Sequence, residues 1–289
     1  MSDSDHFNVA RTTYNIGIIG RGFVGSAIES FLYGRYNECS VATYDITDDC
    51  DIETGYRRVV QESDIIYLCL PTPEAADGSC DTGIVEKACT LLNHEAALQN
   101  KMPIVLIKST LAAGTTDQLQ QDNRTGSNLI LVCNPEFLTE RTAQADFADT
   151  ARHLIGIQDH GHNPLRELLQ RYHARLWPES VCIFTEPMEA ELIKQLTNSY
   201  FCVKVIFANH IYKLCQALDI EYSDFIKSAL MTDSRLGSMH WKVPGPDDQL
   251  GFGGHCFPKD LSGMIKLFEN NSVSCDILKI VQEYNANIR

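Results

Sequence analysis

Hydrophobic residues in the first part of the chain fall in short runs, separated by longer amphipathic stretches. Short apolar runs of this kind are typical of strands buried on both faces of a parallel sheet. We predict seven such strands, at residues 14–19, 41–44, 65–70, 104–107, 129–132, 154–157 and 181–184. Helical periodicity lies between several of them, at 24–32, 84–98 and 164–173. This alternation predicts an α/β fold with a Rossmann-like, doubly wound parallel sheet.

The pattern changes after residue 185. Apolar residues at helical spacing predict one long helix over 186–218 and a second over 222–230. A stretch rich in glycine and proline follows at 238–258, and two further helices are predicted at 260–269 and 273–288. We therefore predict two domains, a Rossmann domain at 1–185 and a mostly helical domain at 186–289.

Composition narrows the classes of function. The 289 residues carry a net charge of -14, which disfavours nucleic acid and anionic membrane surfaces as partners. No apolar run approaches the ~18 residues that a membrane helix needs. The first residues are polar and lack the apolar core of a signal peptide, so we expect a cytoplasmic location. The 11 cysteines include no CxxC pair, and we expect no metal site.

A glycine motif follows the first predicted strand. Gly20, Gly22 and Gly25 have the GxGxxG spacing and open a predicted helix, whose N-terminus offers amide groups to a pyrophosphate. Asp45 ends the second strand, where a carboxylate accepts hydrogen bonds from a ribose and repels the additional phosphate of NADP. The motif predicts NAD binding. Arg21 is either a phosphate contact or a surface charge.

One cysteine lies in an unusual setting. The segment GFGGHCFPKD at 251–260 places glycines just before Cys256, and Lys259 and a helix start just after it. A cation and a helix N-terminus both favour a thiolate. These features leave two interpretations open, a reactive thiol and a structural turn that contains a cysteine.

Three polar residues share a face of the long predicted helix. Lys194 and Asn198 are four residues apart, and Glu191 precedes Lys194 by three. Spacing alone favours a solvated helix face with an ordinary Glu191–Lys194 ion pair. The alternative is a buried amine beside an amide, which is suited to stabilising a developing oxyanion.

A series of motifs then resembles one family, the UDP-glucose and GDP-mannose 6-dehydrogenases. The motifs occur in the order found in that family and span nearly the whole chain. They are GRGFVG at 20–25, LPTP at 70–73, KST at 108–110, GTT at 114–116, NPEFL at 134–138, AELIKQLTN at 190–198, DSRLG at 233–237 and GFGGHCFPKD.

The resemblance implies two successive NAD-dependent hydride removals at C6 of a nucleotide sugar, with UDP-glucose as the expected substrate. Cys256 would form a thiohemiacetal and then a thioester, with Lys194 and Asn198 holding the oxyanion. Asp260, Thr110 and Glu136 would position or activate the hydrolytic water. The cofactor positions that it implies are Gly20, Gly22, Phe23, Val24, Gly25, Asp45, Pro71, Thr72, Ser109 and Thr110. The implied substrate positions are Glu136, Phe137, Leu138, Glu140, Lys194, Asn198, Arg235, Phe252 and Gly253.

The sequence also departs from that family. Arg141 stands where the family has a glycine, and Asn209-His210 replaces its usual Asn-Glu. The family leads us to expect a third, nucleotide-binding domain beyond Arg289, so the chain resembles a short form. Tyr284 and Ile288 are expected to lie on an apolar face that this leaves uncovered, which predicts a homodimer.

Two other functions stay open. A dehydrogenase of the 3-hydroxyacid or 6-phosphogluconate type shares the expected fold but transfers one hydride and needs no cysteine. A binding or regulatory relative would keep the fold without turnover. A yield of two NADH per substrate would indicate the nucleotide-sugar dehydrogenase and not a dehydrogenase of the 3-hydroxyacid or 6-phosphogluconate type. The presence of Cys256, Lys194, Asn198 and Asp260 argues against a binding or regulatory relative.

Overall fold

A computed structural model describes residues 13–35, 40–158 and 163–289. The polar N-terminal segment on which the expected location rests lies mostly outside these residues. The described chain forms two compact units. One contains the chain up to Thr72 together with Asp81–Lys194, and the other contains Pro73–Cys80 with Gln195–Arg289. The boundary near residue 185 stays our prediction for the domain organisation.

The first unit is built on one seven-stranded sheet. Its strands lie in the order β2-β1-β3-β4-β5-β6-β7, so the chain reverses its direction of travel across the sheet after β2. That reversal is the doubly wound arrangement, and the predicted fold class is confirmed. The strands are β1 (Ile16–Ile19), β2 (Val41–Tyr44), β3 (Ile65–Leu68), β4 (Ile104–Ile107), β5 (Ile130–Cys133), β6 (Arg152–Gly156) and β7 (Val181–Thr185).

Ten α-helices occur in the described part of the chain. Those of the first unit are α1 (Phe23–Arg35), α2 (Ile52–Glu62), α3 (Gly83–Leu98), α4 (Thr115–Gln121), α5 (Ala143–Ala148) and α6 (Pro164–Leu176). The remaining helices are α7 (Pro187–Ala217), α8 (Tyr222–Thr232), α9 (Phe257–Asn270) and α10 (Asp276–Ile288). Among the described residues, no helix is both long and apolar enough to cross a bilayer.

Alternation along the strands sorts the core of the first unit into two layers. In β4, Ile104 and Leu106 join the layer that contains α1, α5 and α6, whereas Val105 and Ile107 join the layer under α2 and α3. Side chains of successive strand residues point to opposite faces, so a strand that is buried on both faces has no polar position. The uninterrupted apolar runs in the sequence follow from this double coverage.

The sheet changes direction between β5 and β6. Strands β1 to β5 are parallel, and β6 and β7 are parallel to each other, but β5 and β6 are antiparallel and pair only at Cys133 and Gly156. Both paired residues end their strands, so the start of β6 extends past the carboxyl end of β5. This is the edge at which an open α/β sheet binds its ligands.

The second unit has its own small core between α7, α9 and α10. Cys202, Phe252, Leu261 and Val281 are buried there. Tyr284 and Ile288 also pack against this core, so the expectation that they form an uncovered apolar face is wrong. The Tyr284 ring instead stacks on His210, with 4.3 Å between ring centroids. The large apolar side chains that α10 does expose are Ile277 and Ile280.

Two histidines are buried in the first unit. The rings of His153 on β6 and His173 on α6 lie 4.4 Å apart, beside Trp177. Burial lowers the pKa of His153, and the nearby His173 and Lys108 lower it further. Burial also lowers the pKa of His173, to about 4. Both imidazoles are therefore neutral in the folded protein at neutral pH.

We predict that this pair makes the protein less stable at mildly acidic pH. Because each folded pKa lies below its unfolded value near 6.5, the unfolded state binds more protons, and the free energy of unfolding falls as the pH drops below about 6.5. His173 alone costs about 2 kcal/mol between pH 7 and pH 5, and His153 adds to the loss. Urea unfolding at the two pH values measures it. A His153→Leu/His173→Leu variant should lose much less, whereas His94→Gln, at an exposed position, should behave like the parent chain. Equal losses in all three proteins would contradict the assignment.

Candidate active site

The glycine motif forms a tight turn between β1 and α1. Gly20 has φ +89°, a conformation that favours glycine. A Cβ atom on Gly25 would lie 1.9 Å from the Gly20 carbonyl oxygen, so only glycine lets α1 pack on the turn. A Cβ on Gly22 would meet nothing within 4 Å, which leaves that side of the turn open to a ligand. Phe23 begins α1 and is 36% exposed, whereas Val24 packs against the core.

Asp45 lies beside this turn. One carboxylate oxygen accepts a hydrogen bond from the Arg21 amide at 2.7 Å, and the other accepts bonds from the amide and hydroxyl of Thr47. These hydrogen bonds lower the pKa of Asp45 and keep its carboxylate ionised, and the bond from the Arg21 amide contributes most. The Arg21 guanidinium pairs with Asp48. The sequence left the role of Arg21 open, and in this structure its charge is engaged by that aspartate.

The loops that follow β3 and β4 are tied to each other. The Ser109 hydroxyl donates to the Leu70 carbonyl at 2.7 Å and accepts from the Leu70 amide, and the Thr72 hydroxyl donates to the Thr110 carbonyl at 2.7 Å. Pro71 is exposed between these contacts. Because β1, β3 and β4 are neighbours, these predicted cofactor positions and the glycine turn share one edge of the sheet.

These residues fit a dinucleotide. The turn is open at Gly22, the next helix begins directly after it, and an ionised acid lies at the end of β2. A helix N-terminus attracts phosphate, and a carboxylate at that position accepts ribose hydroxyls. The predicted NAD cofactor therefore has a suitable binding region on this unit.

The polar face of α7 is buried rather than solvated. Glu191, Lys194 and Asn198 are each less than 10% exposed, so the interpretation that spacing favoured is wrong. Glu191 also does not pair with Lys194. Its carboxylate accepts hydrogen bonds from the amides of Gly114 and Thr116, at 2.5 and 2.7 Å, and from the Thr116 hydroxyl. It thereby caps the N-terminus of α4 from another helix, and burial nevertheless raises its pKa.

Lys194 pairs with Glu136 instead. The ammonium lies 3.1 Å from a Glu136 oxygen and 5.3 Å from the centre of the Phe137 ring, and both charged side chains are buried. The second Glu136 oxygen accepts the Leu138 amide. The loop after β5 thus presents a carboxylate that is fixed at both oxygens, a suitable arrangement for holding a proton acceptor in place.

The second unit contains another buried polar group. Asp260 is 3% exposed and accepts hydrogen bonds from the side-chain amide of Asn198 at 2.6 Å and from the Lys259 ammonium at 2.5 Å. Burial alone would lower the pKa of Lys259, but the Asp260 charge outweighs it and the pKa is raised. Asn198 and Asp260, predicted from motifs that are 62 residues apart, therefore make direct contact.

Cys256 immediately precedes α9 and is partly exposed. Its carbonyl accepts the Asp260 amide as the helix starts. Before it, Gly251 and Gly254 both have positive φ, and the carboxamide of Asn285 on α10 binds the Phe252 backbone through two hydrogen bonds. The cysteine loop is therefore held firmly on its N-terminal side.

Several other predicted substrate positions belong neither to the Glu136–Lys194 pair nor to the Asn198–Asp260 pair. The Phe252 side chain is buried in the core of the second unit, and a Cβ on Gly253 would meet the Arg289 guanidinium. Arg235 is exposed and pairs with Asp233, two residues earlier. Glu140 is exposed in a short 3-10 turn, as is Arg141.

The sequence reasoning overlooked one residue of the first unit. Lys108 directly follows β4 and is 5% exposed. The period-2 alternation of that strand places it on the same face as Ile104 and Leu106, so the pattern itself contained the signal. Burial lowers its pKa to about 8.

This fold is that of a dinucleotide-dependent dehydrogenase, and comparisons with known proteins agree. Residues 40–176 match the NAD binding domain of the UDP-glucose/GDP-mannose dehydrogenase family, and residues 188–287 match the central domain of that family. The chain belongs to the UDP-glucose/GDP-mannose dehydrogenase family, as the motifs indicated, and its cofactor is NAD.

Individual relatives support the same conclusion. UDP-glucose 6-dehydrogenase AglM of Haloferax volcanii is 32% identical over 220 residues, which cover 73% of this chain and 49% of that protein. The UDP-glucose 6-dehydrogenase of Rickettsia felis is 29% identical over 232 residues, which cover 80% of this chain and 49% of that protein. The chain thus spans about half the length of the curated relatives that it matches.

Solved structures show the fold. A UDP-glucose dehydrogenase from Pyrobaculum islandicum superposes with a TM-score of 0.77 at 24% identity, covering 98% of this chain and 70% of that one. A 3-hydroxyisobutyrate dehydrogenase from Mycobacterium tuberculosis superposes with a TM-score of 0.69 at 16% identity, covering 95% and 93%.

We predict that Glu191 is a stability determinant. Glu191→Ala leaves the buried amides of Gly114 and Thr116 without an acceptor and should lower the free energy of unfolding by about 2–4 kcal/mol. Urea unfolding measures the loss. Glu189→Ala, at an exposed position two residues earlier on α7, should cost much less. Similar losses for both variants would show that the buried contacts carry no particular weight.

We also predict that Asp45 selects between coenzymes. Asp45→Asn removes the charge that repels an additional phosphate and should reduce the preference for NAD over NADP about tenfold, or ~1.4 kcal/mol. Direct titration with each coenzyme gives the two dissociation constants. Asp49→Asn, at an exposed position, is the matched control. An unchanged ratio in Asp45→Asn would remove this residue from the cofactor site.

Proposed function

We propose that the protein oxidises the C6 alcohol of a nucleotide-linked hexose to a carboxylate, with UDP-glucose as substrate and UDP-glucuronate as product. The proposal is supported above all by the combination of family membership with an intact GFGGHCFPKD loop around Cys256. Family membership supplies the reaction class, and the thiol supplies the means of reaching the acid level. NAD, when bound, accepts one hydride in each of the two oxidations.

Cys256 is the proposed nucleophile. Its sulfur adds to the C6 aldehyde and forms a thiohemiacetal, the second oxidation leaves a thioester, and water releases the carboxylate. A covalent intermediate keeps the aldehyde from escaping between the two oxidations. Cys256 immediately precedes α9 and Lys259 lies in the first turn of that helix, a setting in which reactive cysteines are found.

Lys194 and Asn198 are the proposed oxyanion partners. They lie one helical turn apart on α7, and both are buried, so their charge and dipole are screened little by water. Each is fixed by a carboxylate, Lys194 by Glu136 and Asn198 by Asp260. Donors that are held in place before the reaction require no reorganisation in the transition state.

Water activation is assigned to three further residues. Glu136 is the proposed base for thioester hydrolysis. Its carboxylate accepts hydrogen bonds from the Leu138 amide and from the Lys194 ammonium, and these bonds keep it oriented. Asp260 and Thr110 are proposed to position the water or relay its proton. The backbone of Thr110 is tied to Thr72.

Substrate binding is assigned to the loop after β5, through Phe137, Leu138 and Glu140, and to Phe252, Gly253 and Arg235. The exposed position of Arg235 suits a contact with substrate that is held by a second copy of the chain. We therefore propose a homodimer, in which the exposed Ile277 and Ile280 of α10 are candidate contacts in place of Tyr284 and Ile288.

A second candidate is a single oxidation, as in a 3-hydroxyacid dehydrogenase. The observation that favours it is the likeness to a 3-hydroxyisobutyrate dehydrogenase along nearly the full length of both chains. That likeness concerns the fold alone. Such a reaction would leave Cys256 without a role.

The decisive measurement is the stoichiometry of NADH release. The 289-residue chain is supplied with a limiting amount of UDP-glucose and excess NAD, and NADH is counted by absorbance. We expect two NADH per UDP-glucose. One NADH per substrate from a hydroxyacid panel, with none from sugar nucleotides, would support the second candidate.

We predict that Cys256→Ala abolishes acid formation while NAD still binds. The loss should reach at least about a thousandfold in kcat, because no thioester can form. NAD titration by fluorescence checks that the cofactor site is intact. Cys50→Ala, at another partly buried cysteine, should keep its activity. Full turnover by Cys256→Ala would refute the covalent mechanism.

A further inference from the structure

A short loop of the second unit lies along α9. Residues Pro73–Cys80 belong to that unit, although the chain on either side of them belongs to the first. An antiparallel bridge between Glu74 and Cys80 closes the loop, and the Ser79 carbonyl accepts a hydrogen bond from the Ala75 amide at 2.8 Å. Cys80 is therefore held at the end of this loop by backbone pairing.

Two contacts set the direction of the loop on the helix. The Asp77 carboxylate lies 3.8 Å from the Lys266 ammonium. A Cβ atom on Gly78, the next residue of the loop, would lie 4.0 Å from the Cβ atom of Ser262. Because Ser262 precedes Lys266 by one helical turn, the loop runs towards the N-terminus of α9.

The same direction brings Cys80 to the start of the helix. Cys80 comes two residues after Gly78, a step of ~7 Å in extended chain, which equals about four to five residues of helix. Counted back from Ser262, that step leads to the first turn of α9, where Lys259 lies. Cys256 precedes Lys259 by three residues and therefore lies on the same side of the helix, one turn earlier.

The electrostatic surroundings of Lys259 agree with this placement. Burial lowers the pKa of Lys259, the Asp260 charge raises it, and negative charge on Cys80 or on Cys256 raises it further. Charges affect one another strongly only within ~10 Å at physiological salt. Both sulfur atoms therefore lie near the same ammonium, and both cysteines are partly exposed thiols that a small molecule can approach from solvent.

We propose that Cys80 and Cys256 form a reversible disulfide when the protein meets a hydroperoxide. The thiolate of one cysteine attacks the peroxide, so that an S–O bond forms, the O–O bond breaks and the second oxygen leaves as hydroxide, which takes up a proton and becomes water. The other thiol then attacks the sulfenic acid, an S–S bond forms, and a second water leaves. The two thiols give up two electrons and two protons, and hydrogen peroxide is reduced to water.

The contacts of the loop allow the approach that this bond requires. A disulfide joins Cα atoms ~4.4–6.8 Å apart, and one helical turn spans ~5.4 Å. The ion pair that ties the loop to α9, Asp77 with Lys266, is partly exposed and weak. The loop can therefore shift by a small distance without disturbing the core of the second unit.

The disulfide would have two consequences for Cys256. Its sulfur could no longer act as a nucleophile, and this consequence, unlike the disulfide itself, rests on the proposed function. The sulfur would also be protected from further oxidation to the sulfinic acid, which thiols do not reverse. Cys80 would thus act as the resolving cysteine for Cys256.

Peptide mapping of the oxidised 289-residue chain tests the proposal. The protein is treated with a small excess of hydrogen peroxide, the remaining thiols are alkylated, and tryptic peptides are analysed by mass spectrometry without reduction. Trypsin releases Cys80 in peptide 59–87 and Cys256 in peptide 243–259. We expect these peptides to be linked after oxidation and to separate on treatment with dithiothreitol. Absence of the linked pair overturns the proposal.

Variants and a second digest assign the bond, because peptide 59–87 also contains Cys69. The link should persist in Cys69→Ser and disappear in Cys80→Ser, with circular dichroism as the check on folding. Cleavage after Glu74 separates Cys69 from Cys80 without any substitution, so the parent chain tests the proposal even where a variant fails to fold. A link that involves Cys69, or that occurs only in covalent dimers on a non-reducing gel, overturns the proposal.

Activity gives a separate readout. Peroxide should abolish NADH formation from UDP-glucose in the parent chain and in Cys69→Ser, and dithiothreitol should restore it. Cys80→Ser should lose activity without recovery, since Cys256 has no resolving thiol. A chain that forms the link but never oxidises UDP-glucose keeps this inference and loses the proposed function. An active chain that forms no link does the reverse.

Discussion

Glu191, Lys194 and Asn198 are buried along the first turns of α7 and require partners there, and much of the candidate site follows from that requirement. A buried carboxylate or ammonium without a partner costs several kcal/mol, so the position of α7 requires a donor or an acceptor opposite each of these charged groups. Glu191 meets the amides that begin α4, Lys194 meets Glu136, and Asn198 meets Asp260. These contacts link α7 to distant parts of the chain through hydrogen bonds of defined geometry.

The same contacts divide the proposed chemistry between two fixed groups. Glu136 and Lys194 belong to the first unit, and Asn198 and Asp260 belong to the second. In each group a carboxylate holds a nitrogen donor, which removes rotational freedom before any ligand arrives. Rigid donors of this kind are more effective electrostatically than donors that must turn towards a substrate.

The sequence predicted what depends on local rules. Buried strands and the glycine turn follow from neighbouring residues, since alternation and the φ of Gly20 are local properties. The burial of the polar α7 face could not be predicted in this way, because spacing cannot reveal that Glu191 accepts a hydrogen bond from an amide 75 residues away. Tyr284 was assigned to an open face for the same reason, as its partner His210 lies on another helix. The pattern also places Lys108 on the face of Ile104, but periodicity alone does not show whether a lysine on that face is buried.

The single residue pair that joins β5 to β6 has a consequence for the dynamics of the sheet. A five-stranded parallel block and a two-stranded block share a single backbone ladder pair, Cys133 with Gly156, beside one buried hydrogen bond from the Asn134 side chain to the Leu154 carbonyl. The two blocks also share a core layer, so the part that opens most easily is this short backbone ladder and not the packing between the blocks. Backbone amides at the seam would then exchange with solvent faster than those in the middle of β1, β3 and β4, although all of them lie within one continuous sheet.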